Sequence, residues 1–480
     1  MNKWILKTGL WVFLCSAIQG WAQTKAWTLR ECVDYALKNN ISIKQSELDL
    51  QNGRVAKKDA IGNFLPTLNA SASHSWNIGL NQNITTGLLE NQTIQFTSAG
   101  LNSSVAIYNG LQNMNQLKRA RLTILAAQYQ LNKMQDDVAL NVANSYLQIL
   151  FNKENLKVQQ EQLVNDEKQL LRASEMVKSG MIPRGDLLDA EATVAADRQR
   201  VIAAQNTLFL SKLSLAQLLQ LDDFRNFDIA EANYEPSLSP TLAESPETIV
   251  KKALGERVEL KIARTNLEAA ERDLKISKGA LQPSINGFYS FSTRASNQRR
   301  ISSFIVDPNN PTNTIGFVPS TGEAVLSPNF IPIQGNPLPY FDQFSQFKGN
   351  SFGVQMSIPI LNGFRSSNAV TRARIALERA RTNEKQTALD LERTVYTAIT
   401  DAKGALQAYE SAQTALNARK LAFEYAKERF NVGLSNSFEL SQAQTLYTNA
   451  QSDLVRTKYD YIFKVKVVEF YFGIPIVEKL

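Results

Sequence analysis

A single histidine and two cysteines in 480 residues leave little for catalytic chemistry to work with. Metal sites and nucleophilic triads draw on clustered His, Cys and acidic residues, and neither a Cys/His cluster nor a Ser/His/Asp set can be assembled. No glycine-rich phosphate loop is present either, which argues against nucleotide binding. The chain therefore reads as a non-enzyme without cofactor or metal. Its formal net charge of +7 is spread in mixed-sign runs, with no dense basic patch interleaved with aromatics, so a nucleic-acid partner is not expected. Beyond the N-terminal stretch, no segment offers the roughly 20 apolar residues of a membrane-spanning helix.

What is present begins with MNKWILKTGLWVFLCSAIQGWAQ. Lys3 and Lys7 precede an apolar run from Gly9 to Ile18, and Gly20 and Ala22 supply small residues before a cut. That is the pattern of a secretory signal peptide over residues 1–22, too short and wrongly flanked for a membrane span. Cys15 stands in VFLC, without the small residues that precede a lipid-attached cysteine, so acylation is not expected. Removing the leader lowers the net charge to +5 and leaves Cys32 alone, which excludes an intrachain disulfide. An exported chain with no apolar helix can still enter a membrane as a barrel.

The sequence is duplicated. KSGMIPRGDLLDAEA, from Lys178, is echoed by NVGLSNSFELSQAQ, from Asn431; Gly180 and Gly433 lie 253 residues apart, and so do Gly110 and Gly363 in YNG and LNG. KRAR at Lys118–Arg121 falls on TRAR at Thr371–Arg374 in the same register. Upstream, IGNFLPTLNA matches KGALQPSING through Pro66 and Pro283 at a separation of 217, so the second half carries 36 extra residues between that proline and its Asn-Gly. One body built from two halves follows, rather than a string of domains. The first repeat spans 23–235, with strands at about 67–109 and a helical hairpin at 111–221. A polar connector at 236–248 leads to the second repeat at 249–480, with strands at about 284–361, a long loop at 293–348 and a hairpin at 363–472.

Proline and glycine are absent from Leu111 to Ser179, and apolar residues recur there at heptad spacing: Leu117, Ile124, Leu131 and Val138, then, after a four-residue step, Val142, Ile149, Leu156, Leu163, Leu170 and Val177. In the second copy Val395, Ala402, Tyr409, Leu416, Phe423 and Phe430 continue the same seam. An ordinary core stripe does not run this far, since such a helix is about 100 Å long. After each glycine turn the seam resumes on a helix of about 38 residues, and upstream Ile41–Leu65 and Val258–Leu281 each read as about 25 helical residues; end to end these reach roughly 95 Å. One long helix flanked by two shorter ones stacked in line is expected in each repeat.

Thr67–Leu80 alternates Leu68, Ala70, Ala72, His74, Trp76, Ile78 and Leu80 with Thr, Asn and Ser. Phe352, Val354, Met356, Ile358 and Ile360 repeat the pattern, while Phe288 interrupts a third strand and Ser98-Ala99 shifts parity in a second, as a bulge would. Period two with one apolar and one polar face suits an outer-membrane barrel with a wet lumen; a half-buried soluble sheet alternates in the same way, and the leader and long rods favour the barrel. Four strands do not close a barrel, whose smallest membrane examples have about eight, so the chain is expected to oligomerise.

WTLRECVDYALKNNISI at Trp27–Ile43, IPILNGFR at Ile358–Arg365 and FNVGLSNSFEL at Phe430–Leu440 together resemble the opening motif, strand-to-helix junction and periplasmic tip of the TolC-like outer-membrane factors. Ile41 stands where a proline is usual. The resemblance implies a mainly α fold with a membrane β-barrel portion. Three chains would form a twelve-stranded barrel in outer-membrane lipid, continued by a twelve-helix periplasmic α-barrel. It further implies a passive exit duct, reached from an inner-membrane transporter through a periplasmic adaptor. Val432, Gly433, Leu434 and Ser435 would then dock the adaptor, with Gly180 and Met181 as a weaker copy. Asp186, Asp189, Glu439 and Gln442 would face the closed periplasmic mouth. Gln442 removes one acidic ring, while Phe430 and Ser435 replace a tyrosine and an arginine of the family's lock, with Arg184 the candidate substitute. A second reading of the acids is helix-start chemistry. Gly110 and Gly363, with Pro66 and Pro283, are read as strand–helix junctions. A non-channel coiled-coil or adaptor protein is the rival reading of the whole chain.

Overall fold

The computed structural model of the chain describes residues 26–82, 87–231, 234–236 and 239–474. The expected leader, with Cys15, lies outside them. In chain order the first elements are β1 (Ala26–Trp27), α1 (Leu29–Asn39), α2 (Ile41–Gly62), β2 (Thr67–Gln82), β3 (Leu89–Asn109), α3 (Gln112–Lys178), α4 (Arg184–Leu219) and β4 (Asp228–Ile229). A 3₁₀ turn at Pro240–Ala243 leads to α5 (Pro246–Glu256), α6 (Val258–Gly279) and β5 (Ser284–Ser296). Then come β6 (Arg300–Val306), β7 (Thr312–Phe317), β8 (Ala324–Pro328), β9 (Phe330–Gly335), α7 (Tyr340–Gln346), β10 (Gly349–Ser357), α8 (Arg365–Asn431) and α9 (Ser437–Tyr471). Helix α5 begins inside the stretch read as a connector, because Ser245 accepts the Thr248 amide and Pro246 fits the first turn. Among the described residues no helix is long and apolar enough to cross a membrane. The chain packs as two units.

One unit takes in the chain up to Arg54, Leu122–Ala269 and from Leu377 onward. Its seam is visible as rungs between α8 and α9: Tyr409 stacks on Tyr461 with ring centroids 6.4 Å apart, and Phe423 on Tyr447 at 5.6 Å. Val395 and Ala402 extend that line fully buried. In the first repeat Val138, Val142 and Ile149 of α3 join Leu215 and Leu219 of α4, and Val33 and Ile43 of α1 and α2, in one core. Only Asn40 separates α1 from α2. Its side chain accepts the Ser42 amide at 2.9 Å and donates to the Leu218 carbonyl at the end of α4 at 3.1 Å, so one amide caps a helix start and satisfies an orphaned helix end.

The other unit takes in Val55–Arg121 and Ala270–Ala376. Its four-stranded sheet runs in the order β10-β5-β3-β2, antiparallel throughout. Leu68, Trp76, Ile78, Leu80, Phe352, Val354 and Met356 stand exposed on one face. On the other, polar side chains bond one another across strands, Ser73 to Ser98 at 2.7 Å and Ser290 to Asn102 at 2.8 Å. Phe288 lies on this polar face opposite Gly353, and its ring fills the space where a Cβ would stand, 3.0 Å away. The aromatic covers a neighbour with no side chain of its own.

Two expectations need correction. Pairing is continuous through Ser73–Ser98 and Ala72–Ala99, so no bulge interrupts β3 there. The strand keeps its register and changes its chemistry, with Ile94 and Phe96 on the face that carries Ser98 and Asn102. The register shift falls instead between Ala106 and Tyr108, against β5. The stretch 293–348 is no plain loop: β6 pairs with β9, β7 with β8, and α7 follows. Gln343 of α7 ties it to the end of β5 by accepting the Ser296 amide and donating to the Ser296 carbonyl, each at 2.8 Å.

At the strand–helix junctions two consecutive residues are left-handed, Gly110 and Leu111 at φ +66° and +60°, Gly363 and Phe364 at +60° and +62°. Asn109 donates to Asn113 and Asn362 to Ser366, both at 2.6 Å, so the Asn of each Asn-Gly ties the junction to the first helical turn. Pro66 and Pro283 each fall between the end of α2 or α6 and the start of β2 or β5. Gly110 has a second constraint, because any Cβ there would collide with the Gly279 carbonyl. Gly110→Ala is expected to cost more than the roughly 1–2 kcal/mol of left-handed strain alone. Thermal unfolding of the purified protein checks this, with Gly255→Ala, at a helical glycine with open space around it, as the comparison.

Candidate functional site

Both hairpin turns are built in the same way. The Gly180 amide bonds to Val177 O at 3.0 Å and the Met181 amide to Met176 O at 2.8 Å; the Gly433 amide bonds to Phe430 O at 3.1 Å and the Leu434 amide to Arg429 O at 2.8 Å. With φ of +69° and +76° at the glycines, these are Schellman caps. Such a cap usually packs its outer residue on the last helical turn. Here Met181, Val432 and Leu434 are left about two-thirds exposed or more, and Phe438 beside them as well. Among the described residues the buried Ser435 hydroxyl finds no hydrogen-bond partner.

The acids following the turns occupy equivalent places three residues into α4 and α9, but their surroundings differ. Helix α4 starts at Pro183, which has no capping side chain, and the half-buried Asp186 is the acidic group of that first turn. Helix α9 is capped by Asn436, which accepts the Glu439 amide at 2.8 Å. The Glu439 carboxylate, half exposed, is 4.0 Å from Arg429. Asp189 and Gln442 are exposed. Arg184 is also exposed and, among the described residues, makes no ion pair. The arginines that do engage the turn are others. Arg429 donates to Leu434 O at 3.3 Å, and Arg172 donates to Asn431 at 2.9 Å while lying 5.8 Å from the Phe430 ring centroid. Arg172, Asp186, Phe423, Phe430 and Leu440 line a cleft of about 340 Å³ between the two hairpins.

Above this cleft, in the direction of the helix interiors, is a polar layer that attention to Gln442 missed. Gln444, two residues on and buried, donates to Asp166 at 2.9 Å and is bonded by Gln169; Gln162 donates to Asp166 at 2.7 Å and is bonded by Thr448. Asp197, buried beside Asp166, is paired with Arg200 through one carboxylate oxygen, and among the described residues the other meets no donor unless Asp166 carries a proton. Gln444 and Thr448 are polar residues on the buried line of α9, and that substitution was the sequence signal available.

Residues 32–220 and 249–465 match the family described as Outer membrane efflux protein, well over half of the chain. The chain belongs to the outer membrane efflux protein family. Its relatives include Outer membrane protein TolC of Vibrio cholerae serotype O1, 22% identical over 380 residues, which cover 77% of this chain and 74% of that one. Cation efflux system protein CusC of Escherichia coli K12 is 25% identical over 282 residues, 56% of each chain. A crystal structure of CusC superposes with a TM-score of 0.74 over 93% of this chain and 92% of its own at 18% identity; VceC from Vibrio cholerae gives 0.73 over 93% and 96% at 15%. At these identities the structures establish the fold, a helical portion joined to a β portion as in outer-membrane channels. Family membership also makes this an outer-membrane protein, and the exposed apolar face of its sheet accords with that.

Burial, and then the hydrogen bond and charge of Asp197, push the Asp166 carboxyl up to about 7, against the opposing amide bonds from Gln162 and Gln444. An unfolded aspartate ionises near pH ~3.9. Between the two values the folded chain holds a proton that the unfolded chain has released, so stability falls as pH rises through this window. Asp166→Asn, neutral at every pH, should therefore lose less melting temperature than the parent between about pH 5 and about pH 8.

Proposed function

We propose that three copies of the chain assemble into a passive exit duct. Each would contribute four strands to a twelve-stranded barrel in outer-membrane lipid and its hairpins to a twelve-helix periplasmic tunnel. The observation that carries this reading is the sheet of an outer-membrane family member, apolar and exposed on one face, self-bonded and polar on the other, with outer strands that no further strand pairs among the described residues. The paired insert from β6 to β9 lies at the end of the sheet away from the helix junctions, and is assigned to the cell surface. An inner-membrane transporter supplies the energy, through a periplasmic adaptor whose hairpin docks on Val432, Gly433, Leu434 and Ser435, with Gly180 and Met181 as the lesser contact. Support for docking comes from apolar side chains held outward by well-made caps, which folding alone does not require. Relatives are named for export of cations and of pyoverdine, so cargo follows the pump that the duct serves.

The duct reading is tested by single-channel conductance of the purified, heat-sensitive trimer in planar bilayers; a coiled-coil structural protein would not conduct. Leu434→Asp should assemble and conduct normally yet abolish transport in cells, and normal transport would remove the docking role.

Asp186, Asp189 and Glu439, with Gln442, Phe430 and Arg184, are assigned to the periplasmic gate. Glu439 is the member best placed for it, since Asn436 already caps its helix and its half-exposed carboxylate is held only at 4.0 Å from Arg429. Three such carboxylates around a threefold axis would concentrate cations. Glu439→Ala should lower cation selectivity and weaken block by a trivalent cation added from the periplasmic side. Unchanged values of both would leave Glu439 with a helix-start role only.

A further inference from the structure

We propose that the duplication sets the register in which one copy of this chain pairs with the next, so that edge strand β10 meets β2 of a second copy with Phe352 opposite Trp76, Gln355 opposite Ser73, and Gly363 packed on Gly62. This rests on the trimeric reading above and adds to it the residue-by-residue contact.

The two repeat offsets describe structure as well as sequence. Shifting β2 by 217 and β3 by 253 carries the pair Thr67–Ser104 onto Ser284–Ser357, and Ser75–Phe96 onto Ser292–Gly349. Every pair of the β5–β10 hairpin is recovered in this way from the β2–β3 hairpin. The same mapping can be applied to the strand pairing that joins the two repeats within the chain, β3 with β5. Phe96–Ser296 becomes Gly349–Gly79, Ala99–Thr293 becomes Phe352–Trp76, and Asn102–Ser290 becomes Gln355–Ser73. Past the shift between Ala106 and Tyr108, Tyr108–Ile285 becomes Leu361–Leu68 and Asn109–Ser284 becomes Asn362–Thr67. Within one chain β2 and β10 are the two opposite edges of the sheet, so these pairs are formed between copies.

Side chains and backbone at the junction support the mapping independently. Gly110 and Gly279 touch backbone to backbone, each blocking the place of the other's Cβ, and this explains why Gly279, which needs no left-handed φ, is glycine. Their repeat counterparts are Gly363 and Gly62. Gly62 also lacks a left-handed φ, and a Cβ placed on it would meet nothing within 4 Å, so among the described residues of one chain nothing requires glycine there. A second copy does, if its Gly363 carbonyl takes the place that Gly110 takes at Gly279. Burial agrees: Gly110 is buried and Gly363 exposed. Beside them Tyr108 donates to Gln282 within the chain. The counterparts of that pair are Leu361 and Leu65, which are 87% and 60% exposed in one copy and would form an apolar contact between two.

The test is cysteine pairing in the outer membrane. Native Cys32 is fully buried and does not interfere. Ser73→Cys with Gln355→Cys should give a covalent trimer on mild oxidation, because the equivalent Ser290 and Asn102 side chains are 2.8 Å apart. Ser71→Cys with Gln355→Cys, and Ser73→Cys with Gly353→Cys, which test slips of two residues, should give little. Linkage at a displaced pair, or at none of them in an assembled trimer, would overturn the register while leaving the trimer intact. Absence of any trimer on native gels would overturn the duct reading and the register with it. As a second arm, Gly62→Leu should prevent trimer formation while Gly316→Leu, at an equally open glycine in β7, should not. Normal assembly of Gly62→Leu would remove the glycine contact.

Discussion

Backbone amides and carbonyls in hydrocarbon have no water to bond, so every strand edge inside a membrane must find another strand. The rest of this molecule follows from how that demand is met. A sheet of four strands has two open edges whatever its side chains do, and here both edges belong to strands with exposed apolar faces. A longer chain could close on itself. This one is short of strands, and in the assembly proposed above one kind of contact is used many times, between its own halves and then between copies. In that assembly the glycine junctions, equal helix lengths and matched turns keep the two repeats interchangeable at one contact.

Much of this is legible because the residues that enforce it are chemically distinctive. Gly180 and Gly433 mark their turns in the sequence because few residue types tolerate the left-handed conformation, and the seam of α8 can be read from Val395 to Phe430 because every rung is apolar. Alternation reveals the β faces, and Phe288, an anomaly by that rule, makes sense only once Gly353 is seen across the strand gap. Parity is a poorer guide in β3: it does not distinguish a change in which face carries apolar residues from a change in register, and the two are physically distinct.

The tip is less legible, because its partners come from different helices. Arg184 is near Asp186 in sequence yet makes no ion pair among the described residues, whereas Arg172, from the other side of the turn and from the other repeat, reaches Asn431 and Phe430. No spacing rule links positions 172 and 430. The buried layer around Gln444 is a similar case: Asp166, Asp197 and Gln162 each look like surface residues of a charged helix, and only packing removes them from water. Such a layer weakens the hairpin contact compared with a fully apolar seam, and makes that contact responsive to proton concentration.

Helices α3 and α8 are both 67 residues long, although the repeats have diverged and one has gained a whole insert elsewhere. A residue added to one helix would rotate everything beyond it by about 100° and advance it by about 1.5 Å, taking its turn and its seam out of step with the other repeat. Length in these two helices is therefore a shared inheritance. It can change only by paired edits in both halves of the gene, and in steps close to whole heptads. The insert at the strand ends carries no such obligation, which is why the two repeats could differ there and nowhere between their glycines.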